Sequence, residues 1–208
     1  YIINTAAETH VGNSIVNSVD FVKSNIDGVH KLLELIRQYK SETSIKPVLI
    51  QFSTDEVYGD IVEGAHTESH LLKPSNPYSA TKAAADMLIT AWGRTHDIPY
   101  MIIRPTNNYG IGQYVEKLIP KSIKCLNLGR AIPLHNQGLP KRSWLHASDT
   151  ANAVVTLIEK GTIGEIYNVG GTEYSNIDVV NHIINIYYAN NYANVPTKLL
   201  DFSINSEV

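Results

Sequence analysis

Two pairs of residues in this chain have the types and spacing to do chemistry. Asp55 and Glu56 stand side by side where the apolar run KPVLIQFST ends, within QFSTDEVYGD. Tyr78 and Lys82 stand four apart at the start of the Ala-rich stretch YSATKAAAD. Adjacent carboxylates repel, which favours one protonated and one ionised, so such a pair can supply an acid and a base together. A tyrosine and a lysine at i and i+4 share one helix face. An ammonium there favours the phenolate and is expected to lower the tyrosine pKa from about 10 toward neutrality, making a base for a hydroxyl. Taken singly, each pair also has an ordinary reading: a solvated turn after a strand, and a chance spacing on a helix.

The elements that would position these groups alternate along the chain. YIINTAA reads as a short strand, and Val22, Ile26, Val29, Leu33 and Ile36 recur at helical spacing between Ser18 and Lys40. KPVLIQFST is β-branched and apolar on both faces, as a central parallel strand is. A loop rich in Gly, Pro, Ser and His follows, then the helix of Tyr78, announced by Asn76-Pro77, and a third strand running into a polar turn, PYMIIRPTNNYG. Strand, helix, strand, helix, strand argues for a parallel sheet with right-handed crossovers. Further on, EKLIPKSIKCLNLGR reads as a helix interrupted by Pro120, AIPLHNQG as a short strand, and ASDTANAVVTLIEKG as a helix capped by Ser148 or Asp149 and closed by Gly161. EIYNVGG is a strand and NIDVVNHIINIYY a helix; the tail carries no clear pattern.

Composition excludes some classes. The 208 residues are 43% hydrophobic and 18% charged, with a net charge of −3, an ordinary globular balance with no footprint for nucleic acid. No apolar run reaches the roughly 18 residues of a membrane span, and no signal segment is evident, so no membrane partner is expected. The single cysteine, Cys125, reads as a core filler and fits a reducing, cytoplasmic compartment. His66 and His70 lie in the long loop without metal-ligand spacing, so no metal site is expected.

In this order, AAETHV, STDEVYG, PYSATKAAAD, NNYG, EKLIP, YNVGG and NIDVV resemble the nucleotide-sugar 4,6-dehydratases of the extended short-chain dehydrogenase/reductase superfamily, from Ile3 to about Val180. The tyrosine and lysine are common to the superfamily, whereas the acid pair after Thr54 is particular to the dehydratases. The resemblance implies an α/β fold: a Rossmann-like NAD-binding portion over residues 1–112, and a smaller interleaved α/β substrate-binding region over 113–208, with 143–171 returning to the first. It implies that Tyr78, helped by Lys82, deprotonates the glucosyl 4-hydroxyl, that Glu56 takes the C5 proton, that Asp55 protonates the departing 6-hydroxyl, and that Thr54 bonds the C4 oxygen. Ala6, Ala7, Ser24 and Asn108, with Tyr78 and Lys82, match positions that contact NAD. Thr9, Asn107, Lys117, Leu118, Pro133, His135, Arg142 and Asn176 match positions that hold the nucleotide-sugar. His135 departs from the usual tyrosine there, which opens the choice of nucleobase.

The resemblance also implies a homodimer through a bundle of the Ser18–Lys40 and Tyr78–Thr95 helices. Two alternatives stay open: an epimerase or decarboxylase sharing Tyr78 and Lys82, and a non-catalytic subunit that binds nucleotide-sugars. The chain opens on YIINTAAETH without a methionine and contains no G-x-x-G-x-x-G turn to cradle a pyrophosphate. The expectation is a shortened chain that holds the catalytic residues without the main NAD-anchoring loop.

Overall fold

A computed structural model describes residues 1–61, 64–191 and 199–201. The chain begins β1 (Ile2–Asn4), α1 (Val11–Val16), α2 (Val19–Phe21), a π turn (Val22–Asp27), α3 (Gly28–Thr43), β2 (Leu49–Phe52), a 3-10 turn (Asp55–Tyr58), α4 (Pro77–His96) and β3 (Tyr100–Pro105). It continues β4 (Asn107–Tyr109), α5 (Leu118–Asn127), β5 (Ile132–Pro133), a second 3-10 turn (His135–Gly138), β6 (Lys141–His146), α6 (Ala147–Lys160), β7 (Ile166–Val169), β8 (Thr172–Ser175), α7 (Asn176–Asn191) and β9 (Leu200–Asp201). These form two compact units: Tyr1–Thr106 with Thr150–Val169, and Asn107–Asp149 with Gly170–Val208.

The expected boundaries move for a structural reason. NNYG is not only the polar turn expected after β3; beyond Thr106 the chain enters β4, which pairs with β6 in a different sheet. The first unit therefore ends at Thr106 rather than 112. It resumes at Thr150 rather than 143, because Lys141–His146 is the central strand of that second sheet.

The first unit is an open parallel sheet in the order β1-β2-β3-β7. Its central strands are apolar on both sides because both sides are covered. Leu49, Tyr100 and Ile102 pack with Val29, Leu33 and Ile36 of α3 and Ala85 and Ile89 of α4. Ile50, Met101 and Ile103 face the other way and pack with Val154 and Leu157 of α6. This is the Rossmann-like layering that the alternation of strands and helices implied.

The first long helix departs from its expected phase. Val29, Leu33 and Ile36 are buried as expected, but Val22 is 41% exposed, while Phe21 and Asn25 are buried instead. The π turn explains this: an extra residue per turn rotates everything before Gly28 out of register with α3. The helix thereby presents a polar side chain inward. Asn25 accepts a hydrogen bond from the Glu8 amide (2.9 Å) and donates to the Glu8 carbonyl (3.0 Å) and to Thr81 Oγ1 on α4 (2.9 Å). One amide thus fastens the loop after β1 to two helices.

The start of α4 follows its sequence signal closely. Asn76 caps it, Pro77 occupies the first turn, and Asn76 and Ser79 exchange hydrogen bonds as a capping box. Near its end the helix lies so close to β3 that a Cβ on Gly93 would fall 2.4 Å from the Tyr100 ring. Lys40 then donates to the His96 and Asp97 carbonyls at the helix terminus, each at 2.8 Å.

In the second unit, β4 and β6 are parallel, β6 and β8 antiparallel, and β5 pairs with β9. Helices α5 and α7 enclose Leu126, Ile132, Leu134, Val180 and Ile184, with Cys125 half-buried at the margin. Pro120 does not interrupt α5; it is the third residue of the first turn, where no intrahelical partner awaits its missing N–H. Helix α6 starts at Ala147, before either expected cap. The His146 ring stands in, its Nδ1 accepting from the Ser148 amide at 3.2 Å.

The fully buried Ile102 sits at the centre of the first cluster. Ile102→Ala is expected to lower unfolding stability by about 2–5 kcal/mol through lost burial and the cavity left behind. Denaturant titration checks it, and a loss below about 1 kcal/mol would show that this side chain is not part of the tight core.

Candidate active site

The carboxyl ends of parallel strands are where open α/β sheets present their functional groups, and the first unit assembles its site there. After β2, the Ser53 amide makes one more sheet bond to the Ile103 carbonyl (2.8 Å), and the backbone then turns sharply. Thr54 caps the turn, its Oγ1 accepting from the Glu56 amide at 3.3 Å. Gly59 closes it with φ of 82°, and a Cβ there would lie 2.1 Å from the Lys73 carbonyl oxygen. Asp55 and Glu56 are therefore the exposed-side residues of a single 3-10 turn whose other members, Val57 and Tyr58, are buried. Their adjacency is fixed by the turn; both are half-buried, not free in solvent.

Tyr78 comes from the first turn of α4. Its amide donates to the buried Ser14 Oγ of α1 (3.1 Å), and its ring meets Phe21 edge to face at 6.5 Å. The Thr54 hydroxyl is the neighbour that draws the phenol pKa down. The Thr54 hydroxyl also lies 3.2 Å from Asp55 Oδ1, and Asn76 Nδ2 donates to Glu56 Oε2 at 3.3 Å. The cap of α4 thus touches the second acid of the pair. Thr54, Asp55, Glu56 and Tyr78 form one group.

Lys82 joins this group differently from the sequence expectation. Its Nζ donates to the Phe52 carbonyl, the last residue of β2, at 2.6 Å. The expected lowering of the Tyr78 pKa is reversed: burial pushes the phenol above its ordinary value, the Glu56 carboxylate and then Asp55 push further, and only the Thr54 hydrogen bond opposes them. Burial also pulls Lys82 down to about 8, with Asp86 opposing. Spacing on a helix face said nothing of desolvation or of the two acids opposite, and these dominate.

Among the other NAD-matching positions, Ala6 and Ala7 follow β1 and Ser24 sits half-buried on the π turn. Asn25 ties that turn to the Glu8 backbone. Thr9 is in the same loop, just before the His10 cap of α1. The remaining positions belong to the second unit. Asn107 and Asn108 lie on β4, opposite Trp144 and Leu145. Lys117 precedes α5 and pairs with Glu116 at 3.3 Å, and Leu118 opens the helix. Pro133 is on β5 and His135 opens the second 3-10 turn. Arg142, exposed on β6, stands opposite Tyr174, and the Asn176 amide donates to Pro140 O at 3.1 Å.

Sequence reasoning missed the polar groups behind the site. Ser53, Asp86 and Arg104 are all buried, and so is Asn25. Two signals were available: Asp86 continues the Tyr78–Lys82 spacing by another four residues, and Arg104 is a charge inside an apolar strand. Among the described residues no cluster of His, Cys, Asp and Glu could hold a metal. His66 stacks on Tyr58 at 5.0 Å instead. No described helix is long and apolar enough to cross a membrane.

Residues 1–170 match the NAD dependent epimerase/dehydratase family, and the chain belongs to it. The dTDP-glucose 4,6-dehydratase of Haemophilus influenzae is 42% identical over 189 residues, 88% of this chain and 56% of the relative. The crystal structure of dTDP-glucose 4,6-dehydratase from Bacillus anthracis in complex with NAD superposes with a TM-score of 0.84 at 38% identity, covering all of this chain and 60% of that one. A UDP-glucuronic acid 4-epimerase from Bacillus cereus, in complex with UDP-glucuronic acid and NAD, gives 0.82 at 26% identity, covering 95% and 61%. The chain spans little more than half the length of the curated relatives it matches.

The depressed Lys82 gives a pH signature. A lysine whose folded pKa lies below its unfolded value destabilises the fold while protonated, because the unfolded state holds the proton more tightly. Between about pH 8 and 10.5 stability should therefore rise with pH by up to ~3 kcal/mol from this group. Urea midpoints across that range should show the rise in the parent and its absence in Lys82→Met; parallel profiles would refute the assignment.

Proposed function

We propose that the protein is a nucleotide-sugar 4,6-dehydratase, an NAD-dependent hydro-lyase that turns a nucleotide-glucose into its 4-keto-6-deoxy derivative. The observation that carries this reading is the acid-bearing turn: Asp55 and Glu56 held half-buried beside Tyr78, with Thr54 bonded between them. An epimerase needs the tyrosine and lysine but has no use for the two carboxylates. The small residues Ala6 and Ala7 at the end of β1 and the buried hydroxyl and ammonium of Tyr78 and Lys82 suit a dinucleotide's nicotinamide end. Bound NAD supplies the hydride acceptor for C4 and the donor that returns hydride to C6.

The chain's own residues handle the protons. Tyr78 takes the proton of the 4-hydroxyl, and Thr54 donates to the oxygen as it becomes a ketone. That ketone acidifies the C5 proton, which Glu56 removes. Asp55, protonated beside an ionised neighbour, gives its proton to the 6-oxygen as the C6–O bond breaks and water leaves. Glu56 then returns its proton to C5 as C6 is reduced. Burial and the negative charges of the acid pair resist the Tyr78 phenolate, so a proton on Asp55 eases the first step as well as supplying the second. Lys117 and Arg142 would face the diphosphate, and His135 the base.

The same reading makes the protein a homodimer through α3 and α4, on which Leu35, Tyr39 and Met87 are 63%, 45% and 66% exposed. The lone Cys125 agrees with a reducing, cytoplasmic setting. In the protein at its natural length, Glu56→Gln should lower formation of the 4-keto-6-deoxy product by about 10²–10⁴-fold. Reduced nicotinamide should still accumulate on addition of nucleotide-glucose, whereas Tyr78→Phe should abolish both signals. Full dehydration by Glu56→Gln would remove Glu56 as the base, and an epimerised product would favour the epimerase. Leu35→Asp with Met87→Asp should turn a dimer into a monomer in sedimentation; an unchanged sedimentation coefficient would refute the helix-face contact.

A further inference from the structure

Beneath the reacting groups lies a buried set of charges to which neither the sequence motifs nor the proposed steps assign a task. Asp86 and Arg104 are each 2% exposed. Asp86 Oδ2 accepts from Arg104 Nε at 3.0 Å and from Ser53 Oγ at 2.9 Å, and Arg104 NH2 lies 3.0 Å from the same oxygen. Asp86 Oδ1 is buried with no hydrogen-bond partner among the described residues. Arg104 continues outward: NH1 donates to the Tyr58 hydroxyl at 2.7 Å, and the guanidinium carbon sits 4.8 Å from the centre of that ring. The Tyr58 hydroxyl in turn donates to Asn168 Oδ1 on β7 at 2.8 Å.

These contacts bracket the acid-bearing turn. Ser53, just before it, is tied to Asp86; Tyr58, at its last position, is tied to Arg104. Lys82 lies one helical turn before Asp86 on α4 and bonds the carbonyl of Phe52, so it holds the same peptide segment from the other direction. A lone buried ammonium loses its proton or its place, and a carboxylate at i+4 counters both.

We propose that Asp86, backed by Arg104, is a positioning residue of this site: it keeps Lys82 charged and aimed at the end of β2, and pins the turn that carries Asp55 and Glu56. This rests on the reading of Lys82 as the helper of Tyr78. On the elements that meet here the titratable and charged groups are Tyr78 and Asp86 on α4 with Lys82, Asp55 and Glu56 on the turn after β2, and Arg104 on β3, bonded to Asp86; Asp86 is the one that raises the Lys82 pKa against burial.

The test is Asp86→Asn in the protein at its natural length, read in two ways. In carbon-13-labelled lysine spectra, with the Lys82 signal assigned by its loss in Lys82→Met, the Lys82 titration should move about one unit or more to lower pH. The alkaline limb of the kcat profile for dehydration should move the same way, with kcat about 10–100-fold lower and KM little changed, since about 1.4 kcal/mol corresponds to tenfold. A variant that merely loosened the fold would lower the melting temperature without moving either midpoint, and an unmoved Lys82 titration overturns the proposal. A moved titration with an unmoved kcat profile keeps the Asp86–Lys82 link and sinks the catalytic reading of Lys82 instead. If Asp86→Asn does not fold, Asp86→Glu serves: it keeps the charge but displaces it by a methylene. It should lose kcat while holding both midpoints, and wild-type kcat in Asp86→Glu overturns the proposal.

Discussion

An arginine and an aspartate, both withdrawn from water, meet where β3 passes under α4. Removing either partner of such a pair leaves a bare charge in the core, at a cost of about 3–5 kcal/mol. Burial raises the Asp86 pKa, and Arg104, Ser53 and Lys82 pull it back, so the carboxylate's ionisation depends on its neighbours as theirs depends on it. The pair fixes how α4 lies on the sheet. It therefore fixes where Lys82 and Tyr78, one and two turns earlier on the helix, stand relative to the end of β2.

Much of the first unit was legible because its signals are redundant. Apart from Gln51 and Arg104, strands β2 and β3 are apolar at their buried positions, and Asn76-Pro77 with Ser79 marks the start of α4 three ways at once. The phase of the first long helix was not legible. Val22 and Ile26 have the right composition and spacing for an inner face, and only a π turn, which no residue type dictates, exchanges them for Phe21 and Asn25. Strands β6 and β8 were missed because they are mostly polar, and NNYG was read as a polar turn because nothing local reports that Asn107 opens a strand of another sheet.

The candidate site was legible in part for the same reason. Asp55 beside Glu56 is a local pattern, and the turn that presents them is built by Thr54 and Gly59, their neighbours in sequence. The state of Tyr78 is not local. It depends on a hydroxyl at position 54, a carboxylate at 56 and the depth of burial, none of which the i, i+4 spacing encodes. Helix spacing identifies which groups share a face, whereas charge and solvent access decide what each can do there.

The chain passes between its two units three times, at Thr106, Asp149 and Val169, so neither unit is a continuous stretch of sequence. As the chain leaves the ribosome, β1, β2 and β3 are complete by Pro105, and α3 and α4 can cover one face of them. The other face, Ile50, Met101 and Ile103, waits for Val154 and Leu157 and for the edge strand β7. For the time needed to make some 60 further residues, roughly 3–12 s at ordinary synthesis rates, an apolar sheet surface and an open strand edge stay bare. The interleaving of the two units is in that sense a translational liability.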